Sequence, residues 1–135
     1  MPFVIFFALL LLLLTTLMHY EVLVGLSRVL PGMNMPPRLK LVLVIFGAFG
    51  SHLLQILLYG AAYYLLSHAF GNAWALNTSL YFSAETFTSL GFGDIVPTGA
   101  VRLLAGTECL NGLLLIGWSA SYTYISMERF WQQSQ

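Results

Sequence analysis

Thr88-Ser89-Leu90-Gly91-Phe92-Gly93-Asp94 lies between two long apolar runs, directly after a short amphipathic stretch, Asn77 to Phe87. Glycine adopts backbone angles that other residues avoid. The alternate glycines Gly91 and Gly93 therefore let the chain twist so that successive carbonyl oxygens point the same way. Rings of such carbonyls can replace the hydration shell of a potassium ion. A hairpin of this kind between membrane spans offers little to covalent chemistry and much to ion passage.

The flanking composition supports a membrane setting. The chain has 135 residues, 59% hydrophobic and 7% charged, with Lys40 as its single lysine. A water-soluble domain of this size carries far less apolar surface. Five basic and five acidic residues give a formal net charge of zero, and no basic patch offers itself to nucleic acid. The lone cysteine, Cys109, sits in an apolar run and reads as a small buried hydrophobe.

A membrane span needs about 20 mainly apolar residues. Three stretches qualify: Pro2 to about His19, Leu39 to about Leu66, and Ala100 to about Ser126. The first reads as a membrane helix rather than a secretion signal. Met1-Pro2-Phe3-Val4 carries no positive residue, and no small-x-small cleavage site follows cleanly. Residues 21–38 read as a cytoplasmic linker, since Pro31, Gly32, Pro36 and Pro37 break helices. Arg28, Arg38 and Lys40 lie in or beside it, and basic residues in short loops mark the cytoplasmic side. The N-terminus is then outside and the short tail, residues 128–135, inside. Tyr63, Tyr64 and Trp74 would mark the outer interface, and Tyr122, Tyr124, Phe130 and Trp131 the inner one.

Asn77 or Thr78 can cap a helix over residues 77–88. At about 1.5 Å per residue it reaches only about half way through a bilayer. It must enter and turn back, with its negative C-terminal end toward the centre, where a cation is favoured. One such loop cannot enclose an ion path. Four around a closed axis can, so the expected assembly is a homotetramer.

The stretch Tyr81-Phe82-Ser83-Ala84-Glu85-Thr86-Phe87-Thr88-Ser89-Leu90-Gly91-Phe92-Gly93-Asp94-Ile95-Val96-Pro97 resembles the signature W-W-S-V-E-T-x-T-T-V-G-Y-G-D-x-x-P. That signature belongs to bacterial potassium channels with two core helices and one pore loop per subunit. The resemblance implies an all-α membrane protein of the bacterial plasma membrane. Its pore domain would span residues 39–127: outer helix 39–66, pore helix 77–88, filter 89–94 and inner helix 100–126. It implies K+ as the transported ion, held at Ser89, Leu90, Gly91 and Phe92, with Gly93 completing the filter and no organic cofactor. Thr88, Glu85 and Asp94 would support the filter, the two acids as a proton-sharing pair. Gly112 resembles the glycine at which inner helices bend, although a small residue also suits close helix packing. Ser89, Leu90 and Phe92 replace the usual threonine, valine and tyrosine. The first span, within residues 1–20, lies outside the two-helix pattern and is expected to be peripheral.

Polar residues inside spans are costly and need a role. Asn111 is expected on the cavity wall, and Glu108 buried against span two near Ser51, His52 and Gln55. His19 and His68 are expected at span ends. Gly47 with Ser51, and Gly117 with Ser121, have the small-xxx-small spacing of tight helix contacts. No nucleophile–base pair stands out, so the chain is not expected to be an enzyme. Beyond its own copies and the lipid bilayer, no soluble partner is expected. A weakly selective cation channel and a non-conducting regulatory membrane subunit are the alternatives.

Overall fold

The computed structural model describes residues 2–71 and 73–132. Among them are four α-helices and one 3-10 turn, with no strand: α1 (Pro2–Val29), the turn Leu30–Gly32, α2 (Pro37–Ala69), α3 (Leu76–Phe87) and α4 (Val101–Gln132). α1, α2 and α4 are each long and apolar enough to cross a membrane. The 33 residues of α2 extend about 50 Å, more than the ~30 Å hydrocarbon layer, so its ends reach the headgroups.

The helix ends follow local chemistry. α1 continues well beyond His19, because nothing from Tyr20 to Val29 breaks a helix and the first proline is Pro31. The linker therefore shrinks to the short segment before Pro37, which starts α2 where a missing N–H costs nothing. α4 likewise runs on to Gln132, so residues 128–132 extend the helix rather than form a separate tail, and residues 133–135 lie outside the described ones.

The three long helices pack through one face each. On α1 the buried residues are Val4, Ala8, Leu11, Thr15, His19 and Leu23, spaced three or four apart. α1 packs against both α2 and α4. Towards one end the core is apolar, built on Leu11, Tyr59, Tyr63, Phe82 and Leu104. Towards the other it is Leu30, Val44 and Phe130. Between them lies a buried polar belt: Thr15, His19, Ser51, Gln55, Asn111 and Ser119. The outward faces are apolar instead, with Leu9, Phe46 and Leu114 more than half exposed. Polar inside and apolar outside is the pattern a bilayer rewards, since polar side chains there bond across helices.

Candidate functional site

α3 packs against both α2 and α4 and delivers the 88–94 loop. It starts at Leu76, one residue before the expected cap, and Ala75 supplies no side-chain cap. Asn77 Oδ1 accepts from the Thr78 N–H instead, at 2.9 Å. At the other end the loop folds back on the helix. The Thr88 N–H donates to Ala84 O at 3.2 Å and the Ser89 N–H to Thr86 O at 3.1 Å. Glu85 O accepts from both Leu90 (2.8 Å) and Gly91 (3.4 Å). The Thr88 hydroxyl donates to Ala84 O at 2.7 Å. These bonds occupy the N–H groups of residues 88–91. Its carbonyls from Ser89 to Gly93 accept no hydrogen bond among the described residues.

The backbone angles alternate. Ser89 (φ +59°), Gly91 (+56°) and Gly93 (+77°) are left-handed, while Leu90 and Phe92 between them are not. Ser89 is the one non-glycine residue with positive φ among the described residues. Such a conformation costs about 1–2 kcal/mol for a residue with a Cβ and persists where the surroundings demand it. The two glycines make the alternation legible in sequence, but the strained serine extends it one step inward, where no residue type announces it. Ser89 Oγ also contacts Cys109 Sγ at 3.2 Å, so Cys109 touches the loop rather than serving only as core.

Glu85 and Asp94 lie near enough for Asp94 to act on the Glu85 carboxyl. The Glu85 carboxyl is buried, and its Oε2 has no hydrogen-bond partner among the described residues. Burial pushes its pKa up, and the neighbouring Asp94 charge pushes it further, while the Phe92 backbone N–H works the other way. Tyr81 joins them. Its phenol is raised first by loss of water and then by Asp94, beside which its hydroxyl sits. Tyr81 and Glu85 are four residues apart on one face of α3, a spacing that could have flagged Tyr81 from sequence.

Behind the loop, α4 is joined to α3 by a buried carboxyl. Glu108 is fully buried; its Oε2 accepts from Tyr63 OH and its Oε1 meets Ser83 Oγ, both at 2.5 Å. Ser83 Oγ also lies 2.9 Å from Ile56 O. Ser83 has one proton for two acceptors, so Glu108 must bring the other. A neutral Glu108 donates to Ser83, Ser83 donates to Ile56 O, and every group is satisfied. Glu108 is thus buried against α2, but beside Tyr63 rather than Ser51, His52 and Gln55. Tyr63, expected at the outer interface, is buried for the same reason.

Two further expectations change. Asn111 follows Glu108 on the same face, so it turns into the bundle and away from any cavity wall. It donates to Thr15 Oγ1 at 2.7 Å and Tyr59 OH at 3.1 Å, and only 2% of it is exposed. His19 lies mid-core rather than at a span end and is fully buried, because α1 is ten residues longer than its apolar run. His68 is at the exposed end of α2, with Nδ1 2.8 Å from Tyr64 O. Gly112 lies where α4 crosses the end of α3: an added Cβ would be 2.0 Å from Phe87 O. The contact it makes here is close packing. Gly47 packs against Leu26 of α1, whereas Gly117 faces open space within the chain.

No curated protein matches the chain, and neither does any solved structure. A family model described as an ion channel matches residues 51–129. The match takes in most of α2, all of α3, the 88–94 loop and α4 as far as Arg129, and leaves α1 outside. With more than half its length matched, and with three helices long and apolar enough to span a bilayer, the chain is an integral membrane protein that belongs to this ion channel family.

Proposed function

We propose that four copies of this chain form a potassium-selective channel, passing K+ passively through a filter built from residues 89–93. The observation that carries this is the alternation of left-handed φ at Ser89, Gly91 and Gly93, with carbonyls that accept no backbone hydrogen bond among the described residues. Alternating handedness turns successive peptides the same way and aims their oxygens at one line. Four such lines around an axis supply the carbonyl rings that substitute for water around a cation. The carbonyls of Ser89, Leu90, Gly91 and Phe92 and the Ser89 hydroxyl take the ion, which is cargo rather than a resident cofactor. Glu85 and Asp94, with Tyr81, brace the outer end, and Thr88 holds the inner turn.

A single chain leaves Leu90 (58%) and Phe92 (69%) exposed, a surface that neighbouring copies would cover. The cavity wall passes from Asn111 to the α4 face that its own chain leaves uncovered: Leu110, Leu113, Gly117, Ser121 and Tyr124, spaced three or four apart. In this arrangement the N-terminus and the 88–94 loop are outside and the α4 C-terminus is cytoplasmic, in a bacterial plasma membrane. Gly112 then acts chiefly as a packing point, and any bend there must carry Phe87 with it.

The test is ion flux from liposomes holding the purified protein. K+ efflux is expected, with reversal potentials tracking the K+ gradient over Na+, and Gly91→Ala should abolish it while the protein still inserts. Equal K+ and Na+ permeability would favour the weakly selective alternative, and Phe92, which lacks a phenol hydroxyl, would be the first residue to examine. Wild-type flux in Gly91→Ala would remove the filter assignment.

A further inference from the structure

Thr15, His19, Ser51, His52, Gln55 and Ser119 form a polar cluster that the filter does not use. Five of its contacts close a ring: His52 Nδ1 to Gln55 Oε1 (2.8 Å), Gln55 Nε2 to Ser51 Oγ (3.2 Å), Ser51 Oγ to His19 Nδ1 (3.0 Å), His19 Nε2 to Ser119 Oγ (3.1 Å), and Ser119 Oγ to His52 Nε2 (2.9 Å). With both histidines neutral, the protons have one arrangement. Gln55 Nε2 also points at the Thr15 carbonyl, at 3.5 Å, which orients the amide and leaves Oε1 to accept. His52 must then donate from Nδ1, and Gln55 must donate to Ser51. With both rings neutral, His52 Nε2 can only accept from Ser119, so Ser119 accepts from His19 Nε2–H, and His19 Nδ1 accepts from Ser51. Ser119 donates to His52 Nε2 and closes the circle. Each member donates once and accepts once around the ring, and the two neutral histidines have opposite tautomers.

The ring joins α1 (His19), α2 (Ser51, His52, Gln55) and α4 (Ser119). It also touches the filter's base. The His52 ring lies 5.6 Å from the ring of Phe87, the last residue of α3, whose carbonyl abuts Gly112. Ser119 is two turns further along α4 from that crossing. The two imidazoles stack at 5.1 Å, and the Trp118 edge meets His19 at 5.5 Å. Among the described residues no carboxylate, lysine or arginine bonds to the pair. α1 presents His19, α2 His52, α4 Ser119 and Trp118, and α3 the Phe87 ring. A proton added to either acceptor nitrogen would make the facing hydroxyl, Ser119 or Ser51, accept twice and give up its own donation within the ring, so the one-way order would be lost.

We propose that His19 of α1 is a positioning residue for the inner helix, acting through this one-way ring, and that protonating either histidine breaks the one-way order and changes conduction. The second half rests on the channel reading above; the ring itself does not. α1 lies outside the family match, so this device belongs to what this chain adds to the matched region.

Two measurements test it on the full-length protein in bilayers. The first is 15N NMR of labelled histidines, assigned with single His→Gln variants. At about pH 7.5 the expected signature is neutral His52 protonated on Nδ1 and neutral His19 protonated on Nε2. The same tautomer on both, or a charged ring, overturns the proposal. The second is K+ flux between about pH 7.5 and about pH 4, where a change of about fivefold is expected. The His19→Gln, His52→Gln double variant should be flat. Ser119→Ala should show the acid level already at neutral pH, and Ser119→Thr, which keeps the hydroxyl, should behave as the parent. A parent insensitive to pH, or a double variant with the parent's response, overturns the conduction half. A parent with no flux at any pH overturns the channel reading and that half with it, while the tautomers still decide the ring.

Discussion

Gly112→Ala sets a methyl group against the backbone at the end of α3. Its Cβ would lie 2.0 Å from Phe87 O, 2.8 Å from Phe87 C and 3.1 Å from Phe87 Cα. Ordinary contact begins at 3.4 Å, so the closest pair falls about 1.4 Å short. A side chain could rotate away, but a carbonyl held at a helix end cannot. α4 and α3 must therefore part by about 1 Å along a seam that also holds Glu108 to Ser83. Overpacking of this kind costs about 1–3 kcal/mol, and a backbone obstacle places it near ~3 kcal/mol per subunit, roughly a hundredfold in an equilibrium constant. The control is Gly117→Ala, where nothing lies within 4 Å in the same chain. There the loss of a helical glycine should stabilise by about 0.5–1 kcal/mol. Thermal unfolding of the purified protein in detergent, followed by size and by helical signal, reads both. Flux in liposomes then shows whether the displaced α3 still presents its loop. A Gly112→Ala protein as stable and as conductive as the parent would refute the packing argument.

Three further outcomes are expected. Glu108→Gln should stay within about 1 kcal/mol of the parent, because an amide can donate to Ser83 and accept from Tyr63 as the neutral acid does. Glu108→Ala should lose about 1–3 kcal/mol for each buried hydroxyl left unpaired, and equal losses in thermal melts would mean that Glu108 is ionised. A chain starting near Pro36 should fail to form a stable oligomer. Without α1, Asn111 loses Thr15, and Ser51 and Ser119 lose His19; parent-like mass and flux would make α1 peripheral, as the two-helix resemblance implies. Finally, Glu85 is held above its ordinary pKa, so its contribution to stability is full below the unfolded carboxylate range and is lost as pH rises through the folded value. Melting temperature should therefore fall more steeply with rising pH in the parent than in Glu85→Gln, and parallel profiles would show that Glu85 is not perturbed.

The three spans, the half-length helix and the twisted loop were legible without coordinates, because each depends on local properties. Apolar length sets a span, prolines end a helix, and alternate glycines permit left-handed backbone. The nearness of Glu85 to Asp94 was legible for a related reason, since they lie nine residues apart across a turn that the glycines already define, while their pairing remains a proposal. Ser89 was not, since its left-handed angle is imposed by the bonds that fold residues 88–91 back on α3.

The faces were decided only by the tertiary structure. α1 is apolar on nearly every side, so no periodicity distinguishes what packs from what meets lipid, and its polar residues read as stray. Thr15 finds Asn111 from 96 residues away, and His19 finds Ser119 from 100. Whether Asn111 looks at a cavity or at α1 depends on the rotation of α4 about its own axis, which Gly112 sets by letting that helix touch Phe87. In a bilayer, hydropathy identifies which segments cross but not how they turn toward one another. That orientation follows from the pairing of the few polar groups that lipid cannot solvate.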